Sequence, residues 1–116
     1  MWWDFPSLLL ALLNRGDDKS ARGYEEYPTF AAHEFLKLLL RVRRLLPRVT
    51  RPLLIVHSTL DQAIHPHSAR YTYERAGSAD KELVTLHDSG HCLTVDSEWE
   101  FVAQKTYEFI QAHLGT

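Results

Sequence analysis

Leu53-Leu54-Ile55-Val56-His57-Ser58-Thr59-Leu60-Asp61-Gln62-Ala63-Ile64-His65-Pro66 is the stretch from which the rest of the chain can be read. Leu53 to His57 is a short apolar run led by β-formers, the pattern of a strand buried on both faces. Ser58 to His65 reads as a loop. Pro66 suits the first position of a helix, where its fixed φ is already helical and its missing N–H is not needed.

Downstream, Ala69, Tyr73 and Ala76 fall on one face of that helix, which is expected to stop at Gly77. Leu83 to Leu86 make a second strand, and Asp88-Ser89-Gly90-His91 a tight turn. A last helix is expected near Asp96 or Ser97, where Ser97 and Glu100 match a capping box. Its inner face would hold Trp99, Val102, Thr106, Phe109 and Ile110. The second half is thus strand, helix, strand, helix, an order that implies parallel strands joined by a right-handed crossover. Two parallel strands alone make a poor sheet, and everything before Arg51 reads as helix or loop. The sequence therefore leaves its first strand short of a neighbour.

Upstream, Phe35, Leu38, Leu39, Val42, Leu45 and Leu46 recur at helical spacing after Thr29, a residue suited to an N-cap. Lys37, Arg41, Arg44 and Arg48 occupy another face, read as a solvated stripe because no stacking aromatics interleave with it. Residues 14–27 are polar and read as a loop. The leucine run 8–13 after Pro6 is too short to span a bilayer and lacks a basic start, so a core or cap helix is expected there.

Composition narrows the classes. At 116 residues one domain is the ceiling, and a net charge of −2 argues against a nucleic-acid or membrane-surface field. The single cysteine, Cys92, excludes an internal disulfide and a cysteine zinc cage, which suits a reducing cytoplasm. A soluble, cytoplasmic protein is expected.

In open α/β sheets, functional groups collect in loops at the carboxyl ends of strands. The first such loop offers Asp61 and the second His91. Adjacent parallel strands would bring the two within reach. A carboxylate on the imidazole Nδ1 would fix the tautomer and leave Nε2 to act as general base toward a hydroxyl.

Those residues carry a resemblance. The strand, then His57-Ser58-x-x-Asp61-x-x-Ile64-x-Pro66-x-Ser68-Ala69, Gly77-Ser78-x-x-Lys81-Glu82-Leu83 and Ser89-Gly90-His91-x-x-Thr94-x-Asp96, resembles the C-terminal part of α/β-hydrolases. Bacterial carboxylesterases and monoacylglycerol-lipase-like serine hydrolases are the nearer match. The resemblance implies an α/β fold consisting of a helical cap segment followed by β-α-β-α with parallel strands. It implies a cap or lid over residues 1–50 and hydrolase core over 51–116. It further implies a carboxylic ester hydrolase of the Ser-His-Asp type, with Asp61 as the acid and His91 as the base, an acyl ester substrate and no cofactor.

One part of that pattern is absent from the sequence. No Gly-x-Ser-x-Gly elbow occurs in the 116 residues. The expectation is that an N-terminal half bearing the elbow is missing, and that this chain is inactive alone. A complementary half or self-association would then cover its sheet edge. The alternative reading is a non-catalytic module that docks that edge on a partner chain.

Each candidate also suits a blander role. Asp61 suits a turn, His91 a surface position, and Ser58, Ser68, Ser78, Ser89 and Ser97 suit caps and turns. Cys92 is expected to be a half-buried small hydrophobe. His65 and His67 flank Pro66 and should diverge, which disfavours a metal site with Asp61, His87, Asp88 and His91. Trp2, Trp3 and Phe5 are read as acyl-pocket or core residues.

Overall fold

The structure is a computed structural model that describes residues 29–115. The expectations for residues 1–28, including the leucine-run helix, the polar loop and the roles of Trp2, Trp3 and Phe5, lie outside the described residues. The chain divides into two compact units, Met1–Leu46 and Pro47–Thr116.

In the first unit, α1 runs over Thr29–Leu45 and is followed by a single 3₁₀ turn at Leu46–Arg48. The spacing predicted this helix, but not all of the face it was expected to bury. Leu39 is half-buried and Leu46 buried, whereas Phe35, Leu38, Val42 and Leu45 are exposed. Ala32 and Leu36 are half-buried instead. The ridge with cover therefore follows the i, i+4, i+7 line Ala32, Leu36, Leu39.

The second unit is built on two parallel strands, β1 (Leu53–Ser58) and β2 (Lys81–Leu86), joined through α2 (His67–Arg75) and followed by α3 (Trp99–His113). Ile55 pairs with Leu83, His57 with Thr85 and Ser58 with Leu86. β2 begins two residues earlier than its apolar run, since Lys81 and Glu82 extend the ladder with half-buried side chains. These two neighbours point to opposite faces of the sheet. Lys81 Nζ lies 5.1 Å from the ring centre of Tyr73 on α2, and Glu82 pairs with Lys105 of α3 at 2.6 Å. The two helices accordingly flank opposite faces.

β1 is not buried on both faces as its run of apolar residues suggests. Leu53 to His57 are all half-buried, because no third strand pairs with β1 among the described residues. The buried apolar side chains of this unit are Ala76, Leu86 and Val102.

Two helix boundaries differ from expectation. α2 ends at Arg75, and Ala76 is already extended with φ −63° and ψ 135°. Gly77 does not serve as a left-handed cap. It serves as a gap, since a Cβ there would lie 2.1 Å from the carbonyl oxygen of Pro47. α3 starts at Trp99, and the Ser97–Glu100 capping box is not formed. The Ser97 hydroxyl turns to Asp96 Oδ1 at 3.2 Å, while Glu98 reaches back to the loop after β2. On α3, Val102 is buried and Phe109 half-buried, but Trp99 and Ile110 are about half exposed.

Candidate active site

The loop after β1 is shaped by Asp61 itself. Its Oδ1 accepts the backbone N–H groups of Ala63 at 2.8 Å and Ile64 at 2.9 Å. Asp commonly closes a turn in this way, and the blander reading of this residue is therefore also correct. Its other oxygen is left for a second partner.

That partner is His91. The imidazole Nδ1 stands 2.9 Å from Asp61 Oδ2, so the two loops after the parallel strands bring together the residues the sequence singled out. An ionised carboxylate only accepts, which puts the proton on Nδ1 and leaves a lone pair on Nε2. Nε2 has no hydrogen-bond partner among the described residues, and the His91 side chain is 50% exposed against 11% for Asp61. Burial alone would raise the Asp61 carboxyl. The hydrogen bonds from His91, Ile64 and Ala63 outweigh it and hold the group below the ordinary carboxylate range. The arrangement is a charged acid behind an imidazole whose far nitrogen faces outward.

The roots of the two loops are joined as well. Ser58, the last residue of β1, is completely buried and donates its hydroxyl to the carbonyl of Ser89, which is also completely buried. Ser58 Oγ in turn accepts the Leu60 N–H at 3.2 Å. Across the ladder, His57 Nε2 meets Thr85 Oγ1 at 3.2 Å.

The loop bearing His91 is held from its other side by two carboxylates. Gly90 N–H donates to Asp96 Oδ2 at 2.7 Å, and Asp88 N–H to Glu98 Oε2 at 3.0 Å. Ser89 Oγ donates to the same Glu98 oxygen at 2.9 Å and accepts the Glu98 N–H at 3.2 Å. Both carboxyls are held below the ordinary range, Asp96 chiefly by the Gly90 N–H and Glu98 chiefly by the Asp88 N–H. Sequence reasoning missed these roles, assigning Ser89 to a generic turn and overlooking Glu98. The spacing Ser89-Gly90-His91-x-x-Thr94-x-Asp96 was the available signal for Asp96.

The remaining candidates fall elsewhere. Ser78 is buried and donates to the Val49 carbonyl at 3.0 Å. Ser97 bonds Asp96. Cys92 is exposed, not half-buried, because the turn after His91 carries it outward. His65 and His67 lie with ring centres 6.5 Å apart, and His65 Nδ1 accepts the His67 N–H at 3.2 Å. Among the described residues no three His, Cys, Asp or Glu side chains converge on one point. A cleft of about 250 Å³ opens beside Asp61 and His91, walled by Ile55, Ile64, Ala69 and Leu93. No helix among the described residues is long and apolar enough to cross a membrane.

Comparison with known proteins gives this geometry a setting. Residues 19–98 match the family described as serine aminopeptidase, S33. The chain is 28% identical over 101 residues to a thermostable monoacylglycerol lipase of Bacillus sp. (strain H-257), covering 87% of this chain and 40% of that protein. It is 28% identical over 94 residues to a carboxylesterase of Bacillus subtilis (strain 168), covering 81% and 38%. A solved structure from work on LipS and LipT, two metagenome-derived lipolytic enzymes, superposes with a TM-score of 0.73 at 28% identity. That match covers 95% of this chain and 51% of the other. The chain thus spans about 40% of the curated relatives it matches and about half of the solved structure. With parallel strands, flanking helices and a family match over most of its length, the chain belongs to the serine aminopeptidase S33 family and carries part of an α/β-hydrolase fold.

Proposed function

We propose that this chain supplies the acid and the base of a carboxylic ester hydrolase working by a Ser-His-Asp mechanism. The observation that carries this reading is the 2.9 Å bond between Asp61 Oδ2 and His91 Nδ1, at the ends of adjacent parallel strands. His91 Nε2 takes the proton of a serine hydroxyl as that oxygen attacks the acyl carbon. Asp61 stabilises the imidazolium that forms, and His91 then returns the proton to the departing alcohol. Water repeats the cycle on the acyl-enzyme. The reaction needs no cofactor. The similarity to a monoacylglycerol lipase and a carboxylesterase supports acyl esters as substrates.

The serine is assigned to residues outside these 116, which hold no Gly-x-Ser-x-Gly elbow. On this reading residues 1–50 belong to a cap segment and 51–116 to the hydrolase core. The complementary half of the fold lies along the outer edge of β1, which pairs with no strand among the described residues. Half-exposed Trp99, Phe101 and Ile110 add apolar surface suited to cover. A reducing cytoplasm is the proposed setting, which the lone Cys92 suits.

The test is an ester-hydrolysis assay with a short-chain p-nitrophenyl ester. The chain alone should give no turnover. Co-expression with a family segment bearing the elbow should restore it, and Asp61→Asn or His91→Ala should abolish the gain. Restored turnover indifferent to both substitutions would sink the proposal.

A further inference from the structure

His91 is set by more than Asp61. Four polar groups on the three residues before it are held by side chains. The Asp88 N–H and the Ser89 hydroxyl share one oxygen of Glu98, the Gly90 N–H goes to Asp96, and the Ser89 carbonyl receives Ser58. The Ser89–Glu98 contact is reciprocal, because the Glu98 N–H donates back to Ser89 Oγ. Glu98 is therefore bound to the loop through its side chain and its main chain at once. A carboxylate that accepts two donors on one oxygen does so best when ionised, and such charge-assisted bonds are stronger than neutral ones.

Geometry explains why this bears on the imidazole. Ser89 is fully buried and cannot exchange these partners for water. Gly90 alone separates it from His91, and glycine is the residue least able to hold a backbone direction unaided. Without Glu98 and Asp96 the His91 ring, half exposed, would rely on Asp61 alone for its orientation. We infer that Glu98, through Ser89, is a positioning residue for His91, holding its Nδ1 on the Asp61 carboxylate.

The inference rests on the acid–base reading of Asp61 and His91 and extends it to α3, whose first turn follows Glu98 directly. Its readout is the protonation state of one ring, which requires no turnover. In the ¹⁵N-labelled 116-residue chain, long-range ¹H–¹⁵N spectra distinguish Nδ1–H from Nε2–H in neutral His91. The unsubstituted chain should show Nδ1–H. Glu98→Ala should lower the Nδ1–H to Nε2–H ratio about tenfold, the scale of one charge-assisted hydrogen bond. Glu98→Gln keeps an acceptor oxygen and should retain most of the ratio.

The outcomes separate the two ideas. An Nε2–H ring in the unsubstituted chain overturns the Asp61–His91 reading itself. An Nδ1–H ring indifferent to Glu98→Ala overturns only the positioning role. If Glu98→Ala does not fold, Ser89→Ala removes the hydroxyl while keeping the Asp88–Glu98 bond, and the same fall in ratio is expected. An unchanged ratio there, or failure of both variants to fold, overturns the role equally.

Discussion

The Asp61 carboxylate holds two things at once: with Oδ1 it closes its own turn on Ala63 and Ile64, and with Oδ2 it holds His91 Nδ1 at 2.9 Å. The acid is held both by its own turn and by a histidine 30 residues away. One side chain thereby links a short-range turn to a long-range contact.

Asp61→Asn separates these duties. The amide oxygen can still accept the Ala63 and Ile64 N–H groups, so the turn survives. The amide nitrogen then faces His91 and can only donate, which makes Nδ1 an acceptor and moves the proton to Nε2. The expected result is a folded chain with the histidine tautomer inverted, seen in ¹⁵N spectra. In an assembled enzyme the same change should lower kcat by about 10⁴-fold, the size found for this substitution in a serine protease triad. A variant that keeps Nδ1–H would contradict the assignment.

How far the sequence could be read follows from these residues. Asp61 and His91 were legible because each closes a strand with a distinctive motif, and parallel neighbours bring strand ends together. β1 and β2 were legible from their apolar runs, although Lys81 and Glu82 hid the start of β2. Glu98 was not legible as a ligand of the His91 loop. Its partners are the Asp88 N–H and a serine hydroxyl, groups that every sequence contains and no spacing singles out. The capping box failed for a related reason. A serine and a glutamate three apart are a local signal, and the tertiary bonds of Asp96 and Glu98 to the loop displaced it.

Ser58→Ala tests the joint at the loop roots. It removes a fully buried hydroxyl that serves the Ser89 carbonyl and the Leu60 N–H. Ser89 is fully buried, and leaving its carbonyl unsatisfied costs about 1–3 kcal/mol. Denaturant unfolding should show that loss. Ser97→Ala, at an exposed hydroxyl on Asp96, should stay within about 0.5 kcal/mol. Equal effects at the two serines would contradict the burial argument.

Gly77→Ala should destabilise through contact, not through backbone strain. Gly77 has no left-handed φ, but an added methyl would meet the Pro47 carbonyl oxygen at 2.1 Å. That atom is main chain and cannot swing aside as a side chain would. Overpacking of this kind costs about 1–3 kcal/mol, read as a lower denaturation midpoint. An unchanged midpoint would show that the segment around Pro47 yields freely.

Stability should be confined on both sides of neutrality by opposite shifts, lowered at the carboxyls Asp61, Asp96 and Glu98 and raised at His113. Asp61 is held below its ordinary range in the folded chain, so its contribution is present above an unfolded value of about 4 and is lost as pH falls through the lower folded one. His113 behaves in reverse. Its Nδ1 lies 2.6 Å from the Phe109 carbonyl and its Nε2 2.7 Å from Asp80 Oδ2. Both partners accept, and only the doubly protonated ring can donate to both. Its pKa is raised accordingly, first by the Phe109 carbonyl and then by Asp80, against a smaller opposing effect of burial. The contribution is full below an ordinary value of about 6.5 and fades as pH rises through the higher folded value. Thermal unfolding from roughly pH 2 to 9, a span that covers both carboxylate and histidine titrations, should show Tm falling on both the acid and the alkaline side. In His113→Gln the alkaline slope should flatten while the acid limb is untouched, and in Asp61→Asn the acid limb should become shallower, keeping the share of Asp96 and Glu98, while the alkaline slope remains. If His113→Gln kept the alkaline slope, the bond between the end of α3 and Asp80 would not be its source.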